Sequence, residues 1–244
     1  MVAITLLLTS IAGAHVAPSV DDNNRYLKLT PLGDRVRLAY TVFFGEVPGA
    51  TERRTIDANH DGQITDAEGH AFGLRIAAQV AAALEVEVDG TVHPVAWEVI
   101  DVGLGTPSVA AGSFSVDMVT YACLATARGR HRLVVRDRFR LPRPGETEVK
   151  VEDSPGIQIE HARVGTADDP SFDYRFAGPG GPLSDEGLDL QFVAGPKSEV
   201  TGTCAAPRPD DADSSHLLLF ILLGVGVVVV GGVVVVVRRK YGRP

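Results

Sequence analysis

One stretch of this chain combines residue types and spacing that point to a definite chemistry, and it lies between positions 57 and 68. Asp57, Asn59 and Asp61 place side-chain oxygens at alternate positions, and Gly62 follows at once. Gln63, Thr65 and Glu68 complete a twelve-residue loop. Such a run of oxygen donors suits calcium, a hard cation that takes six to eight oxygens at roughly 2.3–2.6 Å. In this reading Asp57, Asn59 and Asp61 offer side-chain oxygens, Gln63 its main-chain carbonyl and Glu68 both carboxylate oxygens. Thr65 stands where a ligand acts through water. Gly62 permits the sharp turn, because without a Cβ it adopts positive φ at no steric cost. Ile64 is the apolar residue that pins the loop to a core.

The spacing matches the EF-hand loop at each diagnostic place, from Asp57 through Gly62 to Glu68. The chain thus resembles EF-hand proteins over about 30 residues, and the resemblance implies one bound calcium ion. The entering helix is expected to be short, from Pro48 to Arg54, and the loop is single. Regulatory EF-hands usually work in pairs, so an opening switch is not expected.

Two elements must hold such a loop, a helix after it and a sheet beneath it. From Asp66 to Leu84 the apolar residues Phe72, Ile76, Val80 and Leu84 recur every four positions, a helical stripe. Before the loop, residues 26–30 and 36–44 read as strands around a Gly33-Asp34 turn, and Val36, Leu38, Tyr40, Val42 and Phe44 alternate with a second face. After it, Asp89-Gly90 marks a hairpin. Further strands are expected at 95–102, 113–125, 131–141, 147–151, 157–164, 172–176 and 188–193. Short strands at this spacing predict a mainly β, antiparallel sandwich-like fold with the EF-hand loop and one following helix.

The two ends place the chain. Residues 1–14 hold a short apolar stretch and close on Ala12-Gly13-Ala14, the small-residue pattern of a signal-peptide cleavage site, though no Lys or Arg opens them. Residues 217–237 are 21 positions without a charge, enough for a helix of about 31 Å, the thickness of a hydrocarbon core. Acids precede this stretch, and Arg238, Arg239 and Lys240 follow it. The expected layout is therefore a signal peptide at 1–14 and an extracytoplasmic domain at 15–195. A stalk at 196–216, a single transmembrane helix at 217–237 and a cytoplasmic tail at 238–244 complete it. The formal charge is −8, and four of the 23 basic residues fall in the last seven positions. The remainder is more acidic still, which disfavours nucleic acid as a partner.

Cys123 and Cys204 are too few for a disulfide scaffold and too far apart for a zinc site. A single bridge would close a loop of about 80 residues and stabilise by about 4 kcal/mol in the chain-entropy model. The alternative is a free Cys204 available for an intermolecular bond.

A second resemblance rests on His15, the strands between Tyr26 and Phe44, and the loop from Asp57 to Glu68. The arrangement over roughly 15–165 is similar to extracytoplasmic domains of some bacterial nickel/cobalt-type transporters. Those proteins continue into several membrane helices, whereas this chain has one apolar stretch, so transport itself does not carry over. Cleavage after Ala14 would leave His15 as the N-terminus, where amine and imidazole can together chelate copper or nickel. An ordinary exposed residue is the alternative. His60, His70, His93, His131, His161 and His216 show no ligand spacing.

Seven arginines crowd positions 128–143, among them Arg136, Arg138 and Arg140 at alternate positions. They read as a solvated strand face that balances the acids, or as a patch for anionic polysaccharide or lipid. No nucleophile elbow, zinc-protease motif or phosphate loop is present, so an enzyme is not expected. The functional expectation is a calcium-binding, membrane-anchored extracytoplasmic binding or scaffold module with a mainly structural calcium. The alternative is an accessory protein for nickel, cobalt or copper handling that uses His15. The partner is an envelope protein or transporter that the sequence does not identify.

Overall fold

The computed structural model describes residues 21–164, 167–168, 175–177, 183, 187–202 and 204. All belong to the first of two compact units, Met1–Cys204. The expected signal segment 1–14, His15, the apolar stretch 217–237 and the tail 238–244 lie outside the described residues.

Strict alternation builds the first strand pair. β1 (Asn23–Pro31) and β2 (Arg35–Phe44) are antiparallel, and Leu27, Leu29, Leu38, Tyr40 and Val42 all turn into the core. The chain then forms α1 (Glu46–Ile56), the loop, and α2 (Asp66–Ala83). A hairpin of β3 (Leu84–Val88) and β4 (Thr91–His93) turns at Asp89 and Gly90, both at positive φ. The remaining strands are β5 (Val99–Gly103), β6 (Phe114–Cys123), β7 (Gly129–Asp137), β8 (Pro144–Val151) and β9 (Ile157–Val164). Two short strands, β10 (Ala167–Asp168) and β11 (Arg175–Ala177), precede β12 (Leu188–Ala194). They form two six-stranded sheets, in the orders β11-β8-β1-β2-β6-β5 and β10-β9-β12-β7-β3-β4.

Three parts of the expected fold class need correction. The sandwich is not wholly antiparallel, because β8 returns from the other sheet and pairs with β1 in parallel. Alternation reveals which face of a strand is buried but not which neighbour it takes or in which direction. The helix entering the loop is longer than the expected Pro48 to Arg54. α1 is 11 residues long and begins before Pro48. Pro48 is the third residue of the helix, where a missing N–H costs nothing because the first turn has no carbonyl to receive it. Finally, no helix among the described residues is long and apolar enough to cross a membrane. The fold described is two sheets and two helices, and a membrane helix is no part of it.

A buried polar group joins the sheets. Arg25 of β1 ion-pairs with Asp137 of β7, and the Tyr40 hydroxyl donates to the same carboxylate at 2.7 Å. A second Arg25 nitrogen donates to the Phe139 carbonyl at 3.0 Å. Burial, with the Asp137 carboxylate beside it, pushes the Tyr40 phenol well above its ordinary pKa, so it remains a donor. Removing one partner of such a buried pair typically costs about 3–5 kcal/mol, because the other charge is left unpaired.

The end of the sandwich away from the helices is stapled. Cys123, at the end of β6, forms a disulfide with Cys204. The Gly33 N–H donates to the Glu199 carbonyl at 2.6 Å, and a Cβ at Gly33 would lie 2.4 Å from that same oxygen, so the turn admits only glycine. Asp34 accepts from the N–H groups of Thr201 and Gly202, each at 3.0 Å, and from the Thr201 hydroxyl at 3.1 Å. The segment expected to open a stalk at 196 is therefore tied to the β1–β2 turn as far as Cys204. Burial alone would raise the Asp34 pKa, but these hydrogen bonds and Arg35 bring it below its ordinary value. A depressed carboxylate stabilises the fold above its unfolded pKa, near 4. That stabilisation is lost as the pH falls through the lower folded value.

Reduction of the disulfide should cost about 4 kcal/mol by the loop-entropy estimate. Thermal unfolding with and without reductant measures it, and an unchanged melting temperature would contradict the estimate. In the reduced protein the amides of Thr201 and Gly202 should also lose exchange protection first below about pH 4.

Candidate metal centre

The structure brings the sequence-predicted ligands into one loop. Asp57 caps the C-terminus of α1 and is buried. Its Oδ1 accepts from the Asp61 N–H at 3.2 Å and its Oδ2 from the Gly62 N–H at 3.0 Å. Asn59 Oδ1 accepts from the Asp61 N–H at 2.9 Å, and Asp61 Oδ1 accepts from the Gln63 N–H at 2.8 Å. Each acid or amide thus bonds an amide further along the loop, which curls the chain around its own oxygens. Gly62 has a φ of 86°, and His60 also takes the left-handed region, with a φ of 59°.

Glu68 closes the loop. Its Oε1 accepts from the Ala58 N–H at 2.9 Å, ten residues back. Its Oε2 accepts from the Thr65 N–H at 2.9 Å and hydroxyl at 2.8 Å. Thr65 Oγ1 in turn accepts from the Glu68 N–H, so the two residues form a capping box that starts α2. Hydrogen bonds from the Thr65 backbone and hydroxyl, then from the Ala58 and Asn59 backbones, hold the Glu68 carboxyl below its usual pKa and keep it ionised.

The loop is not isolated. Gln63 forms an antiparallel bridge with Ser108 in the β5–β6 connection. The Ile64 N–H donates to the Pro107 carbonyl at 2.7 Å, and the Val109 N–H donates to the Gly62 carbonyl at 3.2 Å. Successive carbonyls of an extended strand point to opposite edges. With Gly62 and Ile64 bonded outward, the Gln63 N–H faces the loop interior and reaches Asp61. The Gln63 carbonyl takes the same inward side, as the ligand reading requires. Its side chain turns away and donates to the Gly62 carbonyl at 3.0 Å. Ile64 is buried beneath the loop.

Among the described residues, no group of three His, Cys, Asp or Glu side chains is placed to hold a metal ion by itself. Asp57, Asp61 and Glu68 are the three carboxylates of the loop, and their side chains do not form such a group. Asn59 and the Gln63 carbonyl supply neutral oxygen. An all-oxygen set of mixed charge fits calcium and does not fit the softer transition metals, which favour imidazole and thiolate.

Sequence reasoning missed Arg53. It is wholly buried, and its five hydrogen bonds all go to main-chain carbonyls of one segment. Nε donates to Gly112 at 3.0 Å, and Nη1 to Thr106 at 2.8 Å and Ser108 at 3.1 Å. Nη2 donates to Leu104 and, at 3.3 Å, to Ser113. The guanidinium also lies over the Phe114 ring, 5.4 Å from its centroid. Burial lowers its pKa from the ordinary value. The signal was present in the sequence, because Gly49, Arg53 and Ile56 recur at helical spacing and all three face inward.

The arginine-rich stretch is largely paired with acids. Arg132 forms a two-pronged bond with Asp189, at 2.9 and 2.7 Å. Arg130 meets Glu160 at 2.8 Å, and Arg136 and Arg138 both meet Glu85. That arrangement favours the balancing face over an anion-binding patch.

Gly62→Ala isolates the conformational demand of the loop, since a Cβ there would meet no atom within 4 Å. It should cost about 1–2 kcal/mol, the penalty of a left-handed residue with a Cβ. Urea unfolding in the presence of chelator measures it, and an unchanged midpoint would contradict the loop conformation.

No protein-family model matches the chain, and no curated protein matches it.

Proposed function

We propose that this chain is a calcium-stabilised binding or scaffold module that works outside the cytoplasm. The observation that carries the reading is the bridge at Gln63, which leaves that residue's carbonyl on the inner side of the loop that runs from Asp57 to Glu68. Three carboxylates in one loop repel each other without a cation, and a divalent ion relieves that repulsion. Bidentate binding by Glu68 requires both oxygens to turn to the loop centre, so the ion competes with the Thr65 side of the capping box. The Cys123–Cys204 disulfide supports an oxidising compartment.

Calcium outside the cytoplasm is abundant, and extracellular modules bind it at about 10⁻⁴–10⁻³ M. A site at the tighter end of that range is filled most of the time and has a structural role. It fixes α1, the loop and α2 in one pose against the sheets. The cluster of Phe44, Phe72 and Phe114 receives that pose, with ring centroids 4.6 to 5.7 Å apart.

Calcium at a hundredfold excess over Kd stabilises the native state by about 2.7 kcal/mol, so the melting temperature should rise by about 5–10 °C over that in chelator. Glu68→Gln keeps a capping residue but removes the carboxylate, and it should abolish the shift while leaving the chelator curve close to wild type. Identical melting curves for the wild type in calcium and in chelator would refute the reading.

A further inference from the structure

A lone calcium loop lacks the second loop against which such loops usually pair, yet this one has a partner strand. Residues 107–109 take that place, through Pro107, Ser108 and Val109. This partner is an irregular segment, and sheet hydrogen bonds do not fix its shape. The Arg53 guanidinium does so from beneath, through carbonyls at Leu104, Thr106, Ser108, Gly112 and Ser113. Ser108 belongs to both arrangements, because its carbonyl receives Arg53 while its backbone stands opposite Gln63. Gly49, one turn before Arg53, lets α1 approach closely, since a Cβ there would lie 2.6 Å from the Gly112 carbonyl.

We propose that Arg53 is a positioning residue for the calcium loop. By gathering the carbonyls of residues 104–113 it makes that segment a partner strand for the loop, and so sets the calcium affinity without touching the ion. The proposal rests on the calcium reading above. Five N–H groups in a fixed planar fork match five carbonyls that converge from one segment. A lysine at 53 keeps the charge but has three donors on a single nitrogen and cannot span the set. On charge alone, removing a buried cation near a calcium loop would tighten calcium binding. The positioning role predicts the reverse, and the sign of the effect therefore separates the two.

The test is titration of the full-length chain with calcium chloride by calorimetry, for the wild type, Arg53→Met, Arg53→Lys and Gly49→Ala. Val151→Ala serves as a control, a buried residue of β8 remote from the loop. Arg53→Met should weaken calcium binding by about tenfold or more, the usual effect of removing a residue that orients a ligand. Arg53→Lys should fall between Arg53→Met and the wild type. Gly49→Ala displaces the Gly112 carbonyl without changing any charge, and it should weaken binding in the same direction. Val151→Ala should destabilise the protein yet stay within about twofold of the wild-type Kd, since remote sites act independently. If Arg53→Met does not fold, Arg53→Lys and Gly49→Ala decide the matter by the same criterion. A Kd in the folded Arg53 variants equal to or tighter than the wild type would overturn the proposal. So would a Val151→Ala variant that weakens binding as much as they do. A wild type that binds no calcium would overturn the calcium reading itself, and this proposal with it.

Discussion

The Arg53 side chain must satisfy five N–H donors inside the protein, and it does so on the main chain of a single irregular segment. A buried guanidinium left without acceptors would cost several kcal/mol, so its position dictates the path of the chain around it. The reverse constraint is equally strong. Residues 104–113 make few sheet hydrogen bonds of their own, and the carbonyls that face Arg53 need donors. Each requirement answers the other. The segment that results has one outward edge, and that edge bonds Gly62 and Ile64. The 57–68 loop thus rests against a segment gathered by a cation that belongs to the protein.

The sandwich separates this end from the other. β2 runs from Arg35, opposite Cys123, to Phe44, opposite Phe114. Ten extended residues span about 30 Å, with the disulfide at one end and the helices at the other. Between them, Arg25, Tyr40 and Asp137 lock one sheet to the other. A change in the loop therefore meets a stiff sheet, and its effects stay near α1, α2 and the β5–β6 connection. A cleft of 370 Å³ between α2 and β5, lined by Asp66, His70 and Asp101 among others, lies in that responsive region.

The loop was legible because its donors are local in sequence, and twelve consecutive residues hold their own spacing. The helix after it and most strands were legible through periodicity, as in the alternation of Val36, Leu38, Tyr40 and Val42. Arg53 was not, because a charged residue on a short polar helix reads as exposed unless its face is traced through Gly49 and Ile56. Leu104 to Ser113 reads as a run of turn residues, and the partner of such a segment lies some 50 positions away. The parallel pairing of β1 with β8 was also hidden, since alternation gives burial without direction. That the β7 arginines balance acids was legible, but not that Glu85, Glu160 and Asp189 come from three other strands to meet them.

Hydrogen exchange of the full-length chain, with calcium and with chelator, tests the central claim most directly. The account predicts that calcium raises protection at residues 57–68 and also at residues 104–113, where Ile64 and Val109 meet their partners. Protection of β2 and β7 should be the same in both conditions. An unchanged 104–113 segment, or a change spread through both sheets, would contradict it.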